Sequence, residues 1–403
     1  MTRQERSRSD ETVYGAYACY LTRRQLAWCV PCVLILFGAA RASAGADAEK
    51  DVAKRAPPVN FSPGPEYADG VRMFQGIPGI ERAANGRLWA TWYGGGVGED
   101  HHNYVMLVTS GDDGKSWSTL KLVIDPDRDG PCRAFDPCLW HDPQGRLWLF
   151  WAQRHVTTQA WAIVTDDSGS ENPAWSSPRP VHEGIMMNKP LVTSAGKWLL
   201  PLAVWSRQGS AMVVQSADRG TTFELLGRAN VPKPSDRNCD EHMLLQRKDS
   251  SLEMFVRTGY GIGESVSQDQ GRTWSDVVPS TIPHTVSRFF VRRLQSGKLL
   301  LVKHGGMAEK TGRSHLTAFL SDDDGKTWTA GFLIDERRGV SYPDGVESPD
   351  GTIYLIYDYS RTGAKQIFMA TFREEDLTAG KIVSPAARLR VLVNQATGER
   401  PTT

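Results

Sequence analysis

The stretch SGDDGKSW, residues 110–117, decides the fold of this chain because it recurs at regular intervals. Close copies follow as SADRGTTF at 216–223, SQDQGRTW at 267–274 and SDDDGKTW at 321–328. A weaker copy, TDDSG at 165–169 followed by Trp175, lies midway in the long first interval. The repeat length is therefore about 50 residues, which is typical of propellers and other arrays of one supersecondary unit.

The chemistry of this motif is that of a turn. Ser and Asp side chains bond to nearby backbone N–H groups, glycine permits a positive φ angle, and the aromatic residue packs the turn down. We therefore interpret the copies as turns that stabilise blades, not as substrate-binding residues.

A second periodic pattern supports the same architecture. Six polar turns each lead into a run rich in Leu, Val, Ile, Trp or Tyr, which is typical of a hairpin entering a strand. The runs begin with GRLW at 86 and 145, GKWL at 196, SSLE at 250, GKLL at 297 and GTIY at 351. The two patterns together predict an all-β fold, a six-bladed β-propeller of four-stranded antiparallel blades, with almost no helix after residue 60.

The two ends of the chain differ from this repeated region. Arg23-Arg24, an apolar run over 26–40 and the small residues Ala42-Ser43-Ala44 are typical of a secretory signal, and residues 22–26 resemble a twin-arginine export signal. A retained membrane anchor is the alternative, although the apolar run is shorter than the about 20 residues that a span needs. We predict an exported protein, periplasmic or extracellular, with a signal peptide at 1–44, a linker at 45–65, the propeller at 66–390 and a polar tail at 391–403.

Composition restricts the partners and cofactors. Lys and Arg number 47 against 46 Asp and Glu, so charge gives no reason to expect a nucleic-acid partner. Beyond the leader, Cys132 and Cys138 are close enough for a small disulfide loop or are free buried thiols, and Cys239 is a third. No Cys/His spacing suggests zinc, and we expect neither a cofactor nor a catalytic metal.

Four segments carry polar groups where inner strands of a propeller would converge. They are the glycine-rich loop 94–102 with Asp100 and His101, the Asp240–Leu245 strand start with Arg257 on the following strand, the segment 312–317 with Arg313, and the segment 341–346 with Tyr342. Taken singly, each has an ordinary explanation as a solvated loop, a salt bridge, a surface charge or a packed aromatic residue.

Together these segments resemble the sialidase superfamily over residues 70–375. The start FQGIP at 74–78, the repeated turns and YPDGVESPDG at 342–351 carry the resemblance. It implies that Tyr342 is the nucleophile, Glu241 its activating base and Asp100 the acid/base. It also implies that Arg257 and Arg313 bind the substrate carboxylate.

The chemistry explains why such residues belong together. A sialoside carries a carboxylate on its anomeric carbon, so a neutral Tyr activated by Glu avoids the repulsion that an anionic nucleophile would meet. Guanidinium groups bind that carboxylate through paired, charge-assisted hydrogen bonds.

One departure from the family concerns Gly76, where the family has an arginine in an Arg-Ile-Pro stretch. Arg72 or Arg82 is a possible replacement, and His101, His102 and His304 are candidates to line an altered pocket.

The resemblance therefore predicts an exported, sialidase-like retaining glycoside hydrolase that releases terminal acidic sugars from glycans. Two alternatives stay open. One is a lyase on uronic-acid polysaccharide that uses Tyr342 and a histidine, and the other is a glycan-binding propeller without catalysis.

Overall fold

Six antiparallel sheets make up the part of the chain that the computed structural model describes, residues 51–205 and 207–400. They form a six-bladed β-propeller, which confirms the predicted fold. The predicted signal peptide at 1–44 lies outside the described residues. None of the helices in the described ranges is long and apolar enough to cross a membrane.

Each blade is a contiguous piece of the chain. The first blade contains β1 (Val59–Asn60), β2 (Phe74–Arg82), β3 (Leu88–Gly95), β4 (Tyr104–Ser110) and β5 (Leu122–Ile124). The second contains β6 (Arg133–His141), β7 (Leu147–Arg154), β8 (Thr158–Thr165) and β9 (Arg179–Glu183), and the third contains β10 (Leu191–Val192), β11 (Trp198–Ala203), β12 (Ala211–Ser216) and β13 (Glu224–Ala229).

The other three blades follow in the same order. The fourth contains β14 (Asp240–Gln246), β15 (Leu252–Thr258), β16 (Gly261–Ser267) and β17 (Val278–Pro279), and the fifth contains β18 (Phe290–Arg293), β19 (Leu299–His304), β20 (Leu316–Ser321) and β21 (Phe332–Asp335). The sixth contains β22 (Val340–Glu347), β23 (Ile353–Tyr359), β24 (Gln366–Phe372) and β25 (Arg388–Gln395).

The ring closes where β2 packs against both β6 and β22, which joins the first blade to the second and the sixth. The short strand β1 pairs with β5 and adds a fifth strand to the first blade, so part of the predicted linker belongs to the fold. Strand β25 ends at Gln395, so the first residues of the predicted polar tail are the outer strand of the sixth blade. They belong there because β25 pairs with β24.

Helical structure is scarce. Among the described residues there is one α-helix, α1 (Glu374–Ala379), and four 3-10 turns at Val52–Lys54, Pro65–Tyr67, Asp69–Val71 and Pro234–Asp236. The expectation of almost no helix is confirmed.

The recurring turn motif works as its residue types predict. The Ser110 hydroxyl accepts a hydrogen bond from the Gly114 N–H at 2.9 Å and donates one to Asp112 at 2.8 Å. The Asp112 carboxylate also accepts bonds from the Ser116 N–H and hydroxyl, and these bonds hold its pKa below the ordinary value. The three later copies repeat the same bonds with distances of 2.6–2.9 Å.

In each blade a hairpin joins the inner strand to the next strand along the chain, and all six hairpins require a residue with positive φ. Five of them have a glycine at positive φ just before the second strand, as Gly86 does with φ 95°. The fourth blade has Ser250 at φ 72° in that place, a conformation that costs a non-glycine residue some strain. The predicted hairpins are thus all present.

Apolar side chains fill the spaces between neighbouring blades, while a polar network lies at the inner strands. The buried Lys189 ammonium donates to the carbonyl oxygens of Ile80 and Leu139 and to Glu81, at 2.7–2.8 Å. Burial alone would raise the pKa of Glu81, but Lys189 and His141 outweigh it and lower that pKa to about 2. These bonds join the inner strands of the first two blades to the segment that precedes β10.

Cys132 and Cys138 are free and buried, which confirms the second of the two alternatives for this pair. Burial raises the pKa of each thiol to about 12. Cys239 is also free.

Candidate active site

Four inner strands share a distortion near their first residues. Ile77 in β2, Asp136 in β6, Glu241 in β14 and Tyr342 in β22 all have positive φ, between 38° and 59°. In each strand the pairing with the next strand shifts at this point, as it does in a β-bulge. Such conformations cost about 1–3 kcal/mol each and cluster at functional sites, where a bulge re-aims a side chain.

The bulges bring Tyr342 and Glu241 together although 101 residues separate them. The Tyr342 hydroxyl lies 3.3 Å from Glu241 Oε1 and 3.1 Å from a guanidinium nitrogen of Arg257. Arg257 also forms an ion pair with Glu241 Oε1. All three side chains are buried, and the structure therefore joins three of the residues that the sequence predicted for the site.

This cluster keeps unused hydrogen-bonding capacity. Glu241 Oε2 and Arg257 Nε are buried and have no hydrogen-bond partner among the described residues. A buried polar atom without a partner costs about 1–3 kcal/mol, so both atoms point to a ligand.

The Tyr342 phenol is neutral in this environment. Burial and the nearby Glu241 carboxylate raise its pKa above the ordinary value, and the guanidinium groups of Arg257, Arg313 and Arg361 oppose that rise without cancelling it. A neutral phenol next to a carboxylate can lose its proton to that carboxylate when a reaction draws charge from the oxygen.

Two further arginines cover the Tyr342 ring. The guanidinium carbon of Arg313 lies 5.3 Å from the ring centroid and that of Arg361 lies 5.1 Å from it. Arg313 has no ion-pair partner within the described ranges, whereas Arg361 pairs with Glu99 at 2.5 Å. Arginines concentrated in this way favour an anionic ligand.

Neither arginine that was considered as a substitute at Gly76 reaches the site. Arg72 is fully buried and donates to the Tyr67 carbonyl oxygen and to Asn394, at 2.7 and 2.9 Å. Arg82 lies over the Tyr354 ring instead. Both are therefore engaged away from Tyr342.

The glycine-rich loop presents Glu99, not Asp100, to the arginines. The Asp100 carboxylate accepts hydrogen bonds from the Val97 and His102 N–H groups of its own loop, at 3.1 and 2.9 Å. Burial alone would raise the pKa of Glu99, but Arg361 and Arg133 outweigh it and lower that pKa.

The predicted histidines lie outside the cluster around Tyr342. His304 is fully buried, and its two ring nitrogens bond to the Val340 carbonyl oxygen at 2.9 Å and to His284 at 3.2 Å. Burial lowers the pKa of His304 to about 3, so it is neutral and has no nitrogen left for a substrate. His101 and His102 are exposed, with ring centroids 3.8 Å apart.

Sequence reasoning did not include Asp136, Glu99 or Arg361. Asp136 is buried, and burial together with Glu99 and Glu241 raises its pKa well above the ordinary value. These effects favour its protonated form, and the carboxyl group belongs to the same site as Glu99 and Glu241. Asp136 occupies a place in the inner strand of the second blade that matches the places of Glu241 and Tyr342 in their own inner strands. An alignment of the blade sequences would have shown this correspondence.

No group of three or more His, Cys, Asp or Glu side chains that could hold a metal ion occurs among the described residues.

Comparisons with known proteins identify the family and the fold of the chain. The family model of the BNR repeat-like domain matches residues 86–355. A sialidase of Micromonospora viridifaciens is 24% identical over 331 residues, which cover 70% of this chain and 49% of that protein. The chain thus spans about half the length of this relative.

Two solved structures have the same fold. A Hadza microbial sialidase has a TM-score of 0.59 at 21% identity and covers 72% of this chain and 66% of its own. The leech intramolecular trans-sialidase has a TM-score of 0.61 at 15% identity and covers 81% and 71%, respectively.

Proposed function

The chain belongs to the BNR repeat-like family of sialidase-type propellers, and from that premise we propose that it is a retaining glycoside hydrolase. Its substrates are glycans that end in an acidic sugar whose carboxylate is attached to the anomeric carbon, as in sialic acid. The observation that carries the proposal is the buried contact of Tyr342 with Glu241 and Arg257. A protein that only binds glycans has no need of a strained Tyr next to a carboxylate base.

The reaction begins with the Tyr342 oxygen. Glu241 takes the phenolic proton while the oxygen forms a bond to the anomeric carbon, and the glycosidic bond to the leaving group breaks. The leaving oxygen receives a proton from an acid on the opposite side. The deprotonated acid then takes a proton from water, which attacks the same carbon and displaces the Tyr342 oxygen. The Tyr342 oxygen takes its proton back from Glu241, and the sugar keeps its anomeric configuration.

Arginines bind the substrate carboxylate. Arg257 forms an ion pair with Glu241, but its Nε has no hydrogen-bond partner among the described residues. Arg313 has no ion pair in the part of the chain that the structure describes, and it lies over the Tyr342 ring. A carboxylate between them gains charge-assisted hydrogen bonds that a neutral sugar cannot form. The same positive groups stabilise the tyrosinate as it forms.

The acid that protonates the leaving oxygen comes from the glycine-rich loop. The resemblance to the sialidase superfamily implied that Asp100 is this acid. Its two carboxylate oxygens accept hydrogen bonds from N–H groups of the loop. Glu99 extends from the same loop to the arginines, and its side chain is 43% exposed. We assign the acid/base role to Glu99 and treat Asp100 as the residue that shapes the loop.

The experiment is a turnover assay with the protein that lacks residues 1–44. Fluorogenic α-sialosides, a 3-deoxy-2-ulosonic acid glycoside and neutral hexosides are compared, and proton NMR identifies the first anomer released. The proposal predicts turnover of at least one acidic sugar with retained configuration, and loss of this turnover in Tyr342→Phe.

Two results would contradict it. Efficient cleavage of neutral hexosides, undiminished in Arg257→Ala, would show that the arginines do not bind a carboxylate. An unsaturated, ultraviolet-absorbing product from uronic-acid polysaccharide would identify a lyase instead. Export of the protein, which residues 1–44 predict, is tested separately by locating it in cell fractions.

A further inference from the structure

We propose that Arg361, in the connection between β23 and β24, is the third guanidinium that binds the substrate carboxylate, and that Gly76 is glycine in order to admit it. The inference rests on the proposed function, because it concerns the same site. It assigns a substrate-binding role to a residue that lies in a different blade from Gly76 and in no recognisable motif.

The space beside Gly76 contains the Arg361 side chain. A Cβ atom added to Gly76 would overlap Cδ of Arg361 and would lie 2.7 Å from its Cγ and 2.8 Å from Asp358 Oδ2. Contacts this short do not occur for real Cβ atoms. Any side chain at position 76 would therefore require the Arg361 side chain to leave its present place.

The backbone of Arg361 is fixed beside β2. Its carbonyl oxygen accepts a hydrogen bond from the Gln75 N–H at 3.2 Å, one residue before Gly76. Asp358 accepts bonds from the Ile77 N–H at 2.9 Å and from the Ser341 hydroxyl at 2.5 Å. The turn that carries Arg361 is thus tied both to the β2 bulge and to the residue before Tyr342.

The guanidinium of Arg361 points into the site. Its carbon lies 5.1 Å from the centroid of the Tyr342 ring and 5.8 Å from that of Phe74, and the side chain is only 10% exposed. Burial alone would lower the pKa of Arg361, but Asp358 and Glu99 outweigh it and raise that pKa, so the group is charged.

Arg361 already binds a carboxylate, that of Glu99, at 2.5 Å. Glu99 is the more exposed partner, with 43% of its side chain accessible, and it belongs to the glycine-rich loop. A substrate carboxylate that reaches Arg361 competes with Glu99 for the same guanidinium. Once displaced, Glu99 loses the guanidinium that most lowers its pKa, so it can take up a proton from solvent and donate that proton to the leaving oxygen. Carboxylate binding and acid catalysis are thus coupled through Arg361.

The test measures preference for a carboxylate directly. The ligands are a 2,3-dehydro derivative of the acidic sugar that the enzyme cleaves and the methyl ester of that derivative, and isothermal titration gives the dissociation constant of each. Loss of one charged hydrogen-bond donor set corresponds to about 10- to 100-fold weaker binding. Arg361→Ala should therefore weaken binding of the acid about 10- to 100-fold and leave binding of the ester nearly unchanged.

Three further variants separate a binding role from a structural one. Arg361→Lys keeps the charge but loses the planar guanidinium that binds a carboxylate through two N–H groups. Its affinity for the acid should therefore lie between those of the wild type and Arg361→Ala. Glu99→Gln removes the competing carboxylate and should tighten binding of the acid while it lowers kcat. Arg388→Ala removes another arginine of the sixth blade, which forms an ion pair with Asp113 of the first blade, and it should change neither dissociation constant.

A position swap completes the test. Gly76→Arg alone should lose binding because its side chain collides with Arg361, and Gly76→Arg with Arg361→Gly should recover at least part of the preference for the acid. Equal loss of acid and ester binding in Arg361→Ala, with a lowered Tm, would overturn the inference and leave the proposed function intact. A wild-type protein that neither binds nor cleaves any acidic sugar would overturn both.

Discussion

Replacing Glu241 by Gln isolates the base that activates Tyr342. The substitution keeps the shape of the side chain and removes a negative charge that lies 3.3 Å from the phenolic oxygen. At that separation, and with an effective dielectric constant of about 20, the repulsion between a carboxylate and a tyrosinate is about 5 kcal/mol. Three nearby guanidinium groups remain, so the pKa of Tyr342 should fall in the variant.

The kinetic result has two parts. At neutral pH no base takes the proton, so kcat should drop about 10²- to 10⁴-fold, the usual contribution of a positioned base. As the pH rises, the tyrosinate fraction of the variant grows about tenfold for each pH step of one, because a single group titrates. The variant should therefore regain activity in the alkaline range where the wild type does not gain any.

The assay is a pH profile of kcat combined with the ultraviolet difference absorbance of tyrosinate. Glu253→Gln is the matched control, since it removes the charge of another buried Glu that forms an ion pair, with the partly exposed Arg247, in the same blade. That control should lose stability and keep kcat. The reasoning is refuted if Glu241→Gln retains kcat within about threefold at neutral pH, because general-base removal costs far more.

Two further predictions concern the acid catalyst and acid stability. Glu99→Gln should slow cleavage of a natural, poorly leaving alcohol far more than cleavage of an activated aryl glycoside, whereas Asp100→Asn should affect both alike; the reverse pattern would restore the acid role to Asp100. Glu81 has a pKa lowered from 4.5 to about 2 in the fold, so its contribution to stability is complete above about pH 4.5 and is lost as the pH falls toward 2. Urea unfolding of Glu81→Gln should give a lower free energy of unfolding at neutral pH than that of the wild type, and a smaller decrease between pH 4.5 and 2. The same dependence of the unfolding free energy on pH in both proteins would contradict the role of the Glu81–Lys189 pair.

Local chemistry made the fold predictable. The turn motifs are held by bonds between residues two and four positions apart, such as Ser110 with Asp112 and with Gly114, so their sequence spacing reports the blades directly. The ends of the propeller were harder to place because β1 and β25 are outer strands whose residues carry no motif.

The site was predictable only in part, for a physical reason. Tyr342, Glu241 and Arg257 were identified through the resemblance to the sialidase superfamily. They lie near strand ends, which the propeller brings together. Arg361 reaches the site through the turn between β23 and β24, the middle strands of the sixth blade, beside a glycine 285 positions earlier, and no local pattern encodes that approach.

The direction of a side chain on a loop is equally hidden. Asp100 and Glu99 are neighbours in sequence. In the folded loop the Asp100 carboxylate accepts hydrogen bonds from the loop's own N–H groups, whereas the Glu99 carboxylate pairs with Arg361. His304 has the polar character of a site residue, but its partners, Val340 and His284, come from other parts of the chain.

Covalent trapping tests the central claim most directly. A sialosyl fluoride with a second fluorine at C3 should form an adduct that breaks down slowly, because the electron-withdrawing fluorine destabilises the charged transition state of hydrolysis. Peptide mass spectrometry of the trapped wild-type protein should place one sugar on Tyr342, and Tyr342→Phe should carry none. An adduct on Glu241 or Asp136, or turnover with inverted configuration and no adduct, would contradict the account.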